Sequence, residues 1–523
     1  MKSRLQLFIF ALSVVAILSA CGDSSSSNNK LIVDFQDREI AAYDVLVRYT
    51  GRWDHTNPAA PRVGWSGSSV TLRFFGDSAT VNLEGGEEVA QFRVIIDGEP
   101  QQRLIDVQQG MQTLVLASGL NSNAVHTIEL FKESSGHVDT TLHGFVIHGV
   151  ALEPLSPRPE KRLAFFGDSN MSGYSLYSEK DQGGMGTWYA YPAMVTRMLD
   201  AEMHLQSVAG ALLAGDNPNT VESFIYSQRW GNKDISYRSG FEPDVIVVNA
   251  GANDIYTVFG SGQKDIIKDR YKVVISALRN VYGERPHIVL YNAYAWAINE
   301  PANYSDEVVA EVGGNVSVLL YPWTWEQWHG TMSEHSGQAR LLAEHLVSLN
   351  LGFEQLNDAD VFDGFGRSFD VANGSFEQKA ADGYPAFGWR YYEDGVERID
   401  DPDGAPDGRF YIRLDAGEEI HQGIDATGDF KPGGTTTKQS YRVEAMIRAN
   451  GSANAQAEIA ADFEGQALYN RDNEESVVFS VDSQWRQYSA VLTAPAGTWK
   501  TYISLRGGIG IVDFDRVRVS AVP

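Results

Sequence analysis

The sequence predicts a multidomain protein with three folded parts: a β-sandwich, an α/β domain with a parallel sheet, and a second β-sandwich. Apolar and polar residues alternate at both ends of the chain, whereas continuous apolar runs alternate with helical patterns in the middle. The 523 residues suffice for about three domains of roughly 150 residues each. We expect the first sandwich at 33–155, the α/β domain at 156–350, a linker at 351–365 and the second sandwich at 366–523.

The first residues have the pattern of a targeting segment. Lys2 and Arg4 precede a short apolar run, and small residues lead to Cys21, the one cysteine of the chain. This order is typical of a secretory signal, and the run is too short to span a bilayer. "LSAC" resembles the bacterial lipobox. We therefore expect a signal peptide at 1–20, lipidation of Cys21, a flexible tether at 21–32, and a protein anchored to the bacterial outer membrane or cell surface.

Composition excludes some partners and one kind of crosslink. The formal net charge of −26 argues against nucleic acid or an anionic membrane surface as the main partner. The content of 43% apolar and 21% charged residues is ordinary for globular proteins. A single cysteine cannot form an intrachain disulfide.

The first sandwich is predicted from strands with period two. "SVTLRF" places Val70, Leu72 and Phe74 on one face. Asp97-Gly98 lies between two apolar stretches and predicts a hairpin turn. The pentapeptide "FFGDS" occurs at 74–78 and again at 165–169. Its first copy separates two alternating segments, so we predict a hairpin turn there and no catalytic role for Ser78.

The middle of the chain predicts a parallel sheet covered by helices. The proline-rich "PLSPRP" ends the first sandwich. "RLAFF", "DVIVVNAG" and "HIVLYNAY" are continuous apolar runs, as expected of strands buried on both faces. "WYAYPAMVTRMLDA", "DRYKVVISALRNVYG" and "SEHSGQARLLAEHLVSL" have helical spacing. Strand–helix alternation indicates parallel strands with helices on both faces.

Alternation returns after residue 351. "YRVEAMIRA" places Tyr441, Val443 and Ala445 on one face, and "RQYSAVLTA", "KTYISLR" and "GIVDFDRVRVS" have the same pattern. These segments predict the second sandwich.

The second "FFGDS" falls where an active site is expected. Ser169 ends the first strand of the α/β domain, and ligands gather at the carboxyl ends of parallel strands. Asn253 follows the second strand, where its amide can donate to an oxyanion. Gly210 in "SVAG" offers a backbone N–H without a Cβ beside it. His329 and His335 follow late, and an imidazole can take the proton of a serine hydroxyl.

These blocks, in this order, resemble the SGNH/GDSL hydrolase superfamily. "GDSNM" lacks the second glycine of the Gly-x-Ser-x-Gly elbow of α/β-hydrolases. The resemblance implies a flavodoxin-like α/β/α domain and Ser169 as the nucleophile. It implies an oxyanion hole made of the backbone N–H groups of Ser169 and Gly210 and the side chain of Asn253. It implies catalysis without a cofactor or metal.

The resemblance also implies a late histidine as the base. In "EQWHGTMSEHSGQA", His329 stands at the position of the family's histidine, and His335 is the alternative base. Glu326 stands three residues before His329, where the family has aspartate. Glu326 is therefore one candidate for the third triad member, and a backbone carbonyl is the other. The same loop holds three tryptophans that could stack on a sugar ring or pack against the first sandwich, Trp323, Trp325 and Trp328.

Both flanking domains resemble modules that act on polysaccharides. "VRYTGRW" and "GWSGSSVTLRFF" resemble the N-terminal jelly-roll of carbohydrate esterase family two, whose members remove acetyl groups from xylan and mannans. "ANGSFEQ" and "VDFDRVRVS" resemble jelly-roll carbohydrate-binding modules, several of which carry a structural calcium. Their glycan platforms are aromatic, and the residues that could form one here, or else fill the core, are Trp389, Tyr391, Trp485 and Trp499.

The sequence therefore predicts an exported serine esterase that removes O-acetyl groups from a xylan- or mannan-type hemicellulose. Two alternatives remain open. One is an SGNH lipase, thioesterase or bacterial-envelope glycan deacetylase, because one fold hosts many activities. The other is a non-catalytic glycan-binding lipoprotein.

Overall fold

The predicted three-part architecture is confirmed by a computed structural model. The model describes residues 35–101, 104–154, 157–174, 176, 185–257, 264–293, 304–321, 329, 332–356, 371, 373–377, 386, 389–390, 394–425, 438–451, 454–465 and 474–522. The signal peptide, the tether and the domain boundaries stay predictions.

Eleven antiparallel strands form the N-terminal domain, and their main path of hydrogen bonding runs β3-β4-β11-β5-β10-β6-β7. These strands are β1 (Asp37–Ala41), β2 (Val47–Thr50), β3 (Trp53–Asp54), β4 (Arg62–Val63), β5 (Ser69–Gly85), β6 (Ala90–Ile96), β7 (Glu99–Pro100), β8 (Ile105–Val107), β9 (Gly110–Ala117), β10 (Val125–Lys132) and β11 (Thr140–Leu152). Asp97 and Gly98, both with positive φ, form the predicted turn between β6 and β7.

The first "FFGDS" is not a hairpin turn, so that prediction is wrong. Gly76, Asp77 and Ser78 lie inside β5, which continues to Gly85. The pairing with β11 shifts by one residue here, and Asp77 is the extra residue of a β-bulge. A Cβ on Gly76 would lie 2.2 Å from the carbonyl oxygen of His148. Residues typical of turns stand here because a bulge and a close strand approach also require them.

The central domain is a five-stranded parallel sheet in the order β13-β12-β14-β15-β16. Its elements are β12 (Lys161–Gly167), α1 (Ser169–Ser172), a 3₁₀ turn (Thr187–Tyr189), α2 (Tyr191–Met198), β13 (Ala201–Ser207), α3 (Val221–Ile225), β14 (Val245–Asn249), α4 (Ala252–Thr257), α5 (Lys264–Tyr282), β15 (His287–Ala293), α6 (Ser305–Val312), β16 (Val316–Tyr321) and α7 (Met332–Ser348). The three inner strands match the predicted ones. Neither edge strand was predicted: in β13, Glu202, His204 and Gln206 interrupt the continuous apolar run expected of a strand buried on both faces, and β16 was not recognised as a strand.

The helices cover the sheet with their apolar faces. In α5, Ile267, Tyr271, Val274 and Leu278 recur at helical spacing and are buried. Among the described residues, no helix is both long enough and apolar enough to cross a bilayer.

The C-terminal domain is a sandwich of two antiparallel sheets, ordered β17-β18-β25-β20-β23 and β19-β24-β21-β22. Its strands are β17 (Val396–Asp400), β18 (Phe410–Leu414), β19 (Glu419–Asp425), β20 (Gln439–Asn450), β21 (Ala455–Gly465), β22 (Glu474–Val481), β23 (Arg486–Ala494), β24 (Thr498–Ile509) and β25 (Ile511–Val522). Tyr441, Val443 and Ala445 face the core between the sheets, as their alternation predicts. Trp389 lies in the same core, and its indole N–H donates to the carbonyl oxygen of Asn373 at 3.1 Å.

Candidate active site

Ser169 lies at a sharp turn from a buried strand into a short helix. β12 ends at Gly167, where a Cβ would lie 2.4 Å from the carbonyl oxygen of Asn249 on β14, so only glycine fits. Asp168 caps α1 by accepting the N–H of Asn170 at 3.2 Å. The helix ends at Ser172 and is capped by Gly173, whose φ is 70°. This turn leaves Ser169 partly exposed at the carboxyl edge of the sheet.

Asn253 lies beside the residues that flank Ser169 and Gly210. Its amide nitrogen donates to the carbonyl oxygen of Ala211 at 3.0 Å and contacts a carboxylate oxygen of Asp168 at 3.4 Å. Gly210 is exposed and has a φ of 74°. A Cβ placed on it would lie 3.8 Å from the amide nitrogen of Asn219, so the space beside this residue is open. The segments that carry the three predicted oxyanion groups therefore meet at one edge of the sheet.

His329 lies against Tyr174, which is hydrogen-bonded to Ser169 at the same edge of the sheet. The two rings lie 4.9 Å apart between centroids, and the backbone N–H of Tyr174 donates to the carbonyl oxygen of Ser169 at 3.0 Å. Burial and, to a smaller extent, the positive charge of Arg390 lower the pKa of His329 to about 4. The imidazole is therefore neutral at pH 7 and can accept a proton.

His335 occupies a different environment. It is fully buried in the first turns of α7, and its Nδ1 accepts the backbone N–H of Tyr191 at 3.1 Å. The imidazole thus caps the first turn of α2, and its ring stacks on Tyr191 at 6.0 Å. This is the cap or packing role that competes with its role as an alternative base.

A buried polar cluster supports the turn and was missed by sequence reasoning. The Asn170 amide donates to the Asn249 side chain at 3.0 Å and to the Tyr321 hydroxyl at 3.1 Å. Asn249 in turn donates to the carbonyl oxygen of Tyr291 at 2.6 Å. Two asparagines were the available signal: Asn249 ends the apolar run "VIVVN", and Asn170 directly follows "GDS". Buried amides need hydrogen-bond partners, so each indicates a polar cluster.

Two buried carboxyl groups, those of Asp168 and Asp254, have raised pKa values. Burial, together with the nearby Asp254, raises the pKa of Asp168 to about 7. Burial also raises the pKa of Asp254, although Arg270 pairs with it at 2.6 Å and the N–H of Leu213 donates to it at 2.9 Å. Asp168 therefore carries only part of a negative charge at neutral pH.

Several predicted site residues lie outside the described residues. They are Cys21, Trp323, Trp325, Glu326, Trp328, Tyr391 and the side chain of Trp499. Within the described part of the chain, no three His, Cys, Asp or Glu side chains are grouped as a metal site would require.

Comparisons with known proteins find relatives for both of the first two domains. Residues 49–155 match the carbohydrate esterase 2 N-terminal model, and residues 165–360 match the GDSL-like lipase/acylhydrolase family. The cellulase/esterase CelE of Acetivibrio thermocellus is 26% identical over 325 residues, which are 58% of this chain and 39% of that relative. The chain thus spans about two fifths of the length of CelE.

Solved structures show the same relationship. A family two carbohydrate esterase from Clostridium thermocellum, in complex with cellohexaose, is 26% identical with a TM-score of 0.50 and covers 58% of this chain and 99% of its own. A family two carbohydrate esterase from Cellvibrio japonicus shares the fold at 21% identity, with a TM-score of 0.54, over 60% of this chain and 98% of its own. Residues 49–155 and 165–360 therefore match the two domains that the family two carbohydrate esterases combine, as the motifs of the chain predict.

Proposed function

We propose that this protein removes O-acetyl groups from a polysaccharide, with xylan- or mannan-type hemicellulose as the substrate class. The observation that carries the proposal is the edge of the parallel sheet where Ser169, Asn253 and the Tyr174–His329 ring pair converge. The cellohexaose bound to the Clostridium thermocellum esterase supports a glycan as the ligand.

In the proposed reaction, His329 takes the proton of Ser169 while the serine oxygen attacks the ester carbonyl carbon. The carbonyl oxygen becomes an oxyanion and accepts hydrogen bonds from the N–H groups of Ser169 and Gly210 and from Asn253. The bond to the sugar oxygen then breaks, and His329 returns the proton to that oxygen. Water attacks the acetyl carbon with His329 again as base; the bond to the Ser169 oxygen then breaks, that oxygen takes the proton back from His329, and the acetic acid that leaves ionises to acetate. Glu326 is the proposed orienting group for the imidazole.

The contacts of Asn253 indicate how its amide would serve two purposes. One hydrogen holds the carbonyl oxygen of Ala211 at 3.0 Å and fixes the side chain. The longer contact, 3.4 Å to Asp168, is the one that an oxyanion would replace. Because Asp168 has a raised pKa of about 7, losing that contact costs less than it would for a fully charged carboxylate.

The test is acetate release from acetylated xylan and acetylated mannan. Ser169→Ala should reduce the rate to background, and Asn253→Ala should reduce it by about 10²- to 10³-fold, the usual effect of losing one oxyanion donor. His329→Ala should abolish activity with little loss of stability, whereas His335→Gln should lower the melting temperature before it lowers kcat. Undiminished acetate release by Ser169→Ala would end the proposal.

The alternatives separate by substrate and by labelling. Faster hydrolysis of long-chain than acetyl esters would favour a lipase or thioesterase, and acetate release only from envelope glycans would favour an envelope deacetylase. A fluorophosphonate probe that fails to label Ser169 in folded protein would favour a non-catalytic glycan-binding lipoprotein.

Export and a lipid on Cys21 complete the proposal. The expected observation is incorporation of labelled fatty acid into the wild-type chain but not into Cys21→Ala. For the C-terminal sandwich we propose glycan binding with Trp485 as the candidate aromatic, and a structural calcium, which its resemblance to carbohydrate-binding modules implies. Binding of xylan that is equal in wild type and Trp485→Ala would remove that assignment.

A further inference from the structure

We propose that Glu133, at the end of the N-terminal domain's β10, is a positioning residue for Ser169 and His329. It holds the segment 185–190, which supports α1 and Tyr174. This inference rests on the proposed function, because the effect of Glu133 on the site is expected in the rate of the esterase reaction. It assigns the N-terminal sandwich a role in the geometry of catalysis.

A buried ion pair of the N-terminal domain contacts the α/β domain. Arg93 and Glu133 expose about 1% and 0% of their side chains, and the Arg93 Nε donates to one carboxylate oxygen of Glu133 at 2.6 Å. The other carboxylate oxygen accepts the backbone N–H of Trp188 at 2.9 Å. The Trp188 ring packs edge-on against Phe131 of β10, with 5.1 Å between centroids. Polar and apolar contacts thus fix the same residue.

The segment 185–190 also contacts the helix that begins with Ser169. The Thr187 hydroxyl is fully buried and lies 3.0 Å from the Glu133 carbonyl oxygen and 2.9 Å from the Ser172 carbonyl oxygen. Ser172 is the last residue of α1, which begins with Ser169. The one hydrogen of this hydroxyl is therefore shared between a carbonyl oxygen of the N-terminal domain and one at the end of that four-residue helix.

The same segment contacts Tyr174, whose ring lies against His329. The N–H of Gly186 donates to the carbonyl oxygen of Gly173 at 2.9 Å, and Met185 pairs with Tyr174 in an isolated β-bridge. Tyr174 carries the ring that contacts His329 at 4.9 Å. The segment that Glu133 holds therefore contacts Ser172, at the end of the helix of Ser169, and also Tyr174, whose ring lies against His329.

A purely structural role for the ion pair is the competing explanation. Burying two charges is costly, and such pairs are weak evidence for stability by themselves. The two explanations differ in kinetics. If Glu133 only joins the domains, its loss lowers stability and leaves the folded enzyme's kcat unchanged. If it positions the segment, small displacements of Ser169 and His329 lower kcat, because a shift of about 1 Å can cost up to 10²-fold.

The central experiment uses matched variants of Thr187 in the full chain. Thr187→Val removes the hydroxyl and keeps the shape, whereas Thr187→Ser keeps the hydroxyl. Glu133→Gln tests the carboxylate directly. Glu202→Gln is the control: Glu202 pairs with Arg158 at 2.8 Å, and Arg158 also donates to the carbonyl oxygen of Tyr49 in the N-terminal domain at 3.0 Å. Melting temperature, kcat and KM for acetate release, and the rate of fluorophosphonate labelling of Ser169 are measured for each.

We expect Thr187→Val and Glu133→Gln to lower kcat and the labelling rate by about 10- to 100-fold, with KM within about twofold. Thr187→Ser and Glu202→Gln should stay close to wild type. Equal kcat in Glu133→Gln and wild type, measured well below both melting temperatures, would overturn the proposal, as would an equal loss in Glu202→Gln. A wild type that labels but releases no acetate would instead refute the proposed function, while the labelling rates would still test the positioning.

Discussion

The two β-sandwiches flank the same α/β domain, but they are joined to it in different ways. In the N-terminal sandwich, most buried apolar residues form a cluster of their own, but Trp65, Ile95 and Phe131 belong to the hydrophobic cluster of the α/β domain. In the C-terminal sandwich, the buried apolar residues form a cluster of their own, enclosed between its two sheets. A shared core couples the folding of two domains, whereas a closed core allows a domain to keep its own stability.

Polar contacts follow the same division. Arg52 of the N-terminal domain is buried, and its guanidinium donates to the carbonyl oxygens of Phe224 and Ser227 and to the hydroxyl of Tyr282. The C-terminal domain packs β19 against α7, and its Arg390, bonded through its backbone to His421 of β19, lies close enough to His329 to lower the pKa of that imidazole. The first domain thus contributes structure to the site, and the third contributes charge.

The largest expected effect comes from breaking the shared core. Trp65 is fully buried, packs on Phe224 at 5.3 Å and donates to the carbonyl oxygen of Gln228 at 3.0 Å. Trp65→Ala should cost about 3–5 kcal/mol of unfolding free energy. It should lower the melting transition of both the first and second domains, together with Ser169 labelling, as measured by calorimetry and by the probe at increasing temperature.

The matched control is Phe514→Ala, which removes a fully buried ring from the C-terminal core. A similar loss should appear there in a separate transition, with Ser169 still labelled at temperatures where that transition is complete. One common transition for both variants would contradict the difference between the two sandwiches.

The next effect comes from the polar contacts alone. Arg52→Met should cost about 2–3 kcal/mol, because it leaves buried acceptors without their charged donor. Arg158→Met removes the contact with Glu202 from a side chain that is 45% exposed, and should cost about 1 kcal/mol or less. Urea unfolding with intrinsic fluorescence measures both. Equal losses would show that burial of the guanidinium does not decide its contribution.

These contacts also mark how far sequence reasoning can go. The strands β12, β14 and β15 and the Asp97-Gly98 turn were predictable because their patterns are local. The bulge at Asp77 was not, since the same residue types favour turns and bulges and only the partner strand decides between them. Glu133 carried no local pattern, and "VRYTGRW" did not indicate what Arg52 contacts, because the partners of both residues lie far along the chain in another domain.

For the site, the sequence order indicated Ser169, Gly210, Asn253 and His329, because each follows a recognisable strand or motif. The contribution of Arg390 could not be predicted. It depends on the packing of β19 against α7, and neither segment contains a pattern that specifies the other.

The smallest effect, and the one specific to the C-terminal domain, is a shift in pH dependence. His329 has to be neutral to act as a base, so activity falls as the pH drops through its pKa, which is about 4. Burial is the larger cause of that low pKa and the charge of Arg390 is the smaller one, so Arg390→Gln should raise the pKa in part. The variant should then lose activity at a higher pH than wild type on acidification, with kcat near pH 8 little changed.

Arg486→Gln is the control for this shift. Arg486 lies in the same domain, is exposed, and pairs with Asp482 at 2.8 Å. The pH profiles of kcat/KM and the titration of the His329 ring by NMR should move together in Arg390→Gln and stay in place in Arg486→Gln. An unchanged acid limb in Arg390→Gln would mean that the C-terminal sandwich has no electrostatic influence on the base. The difference between the two sandwiches would then reduce to the shared core and buried contacts of the N-terminal one.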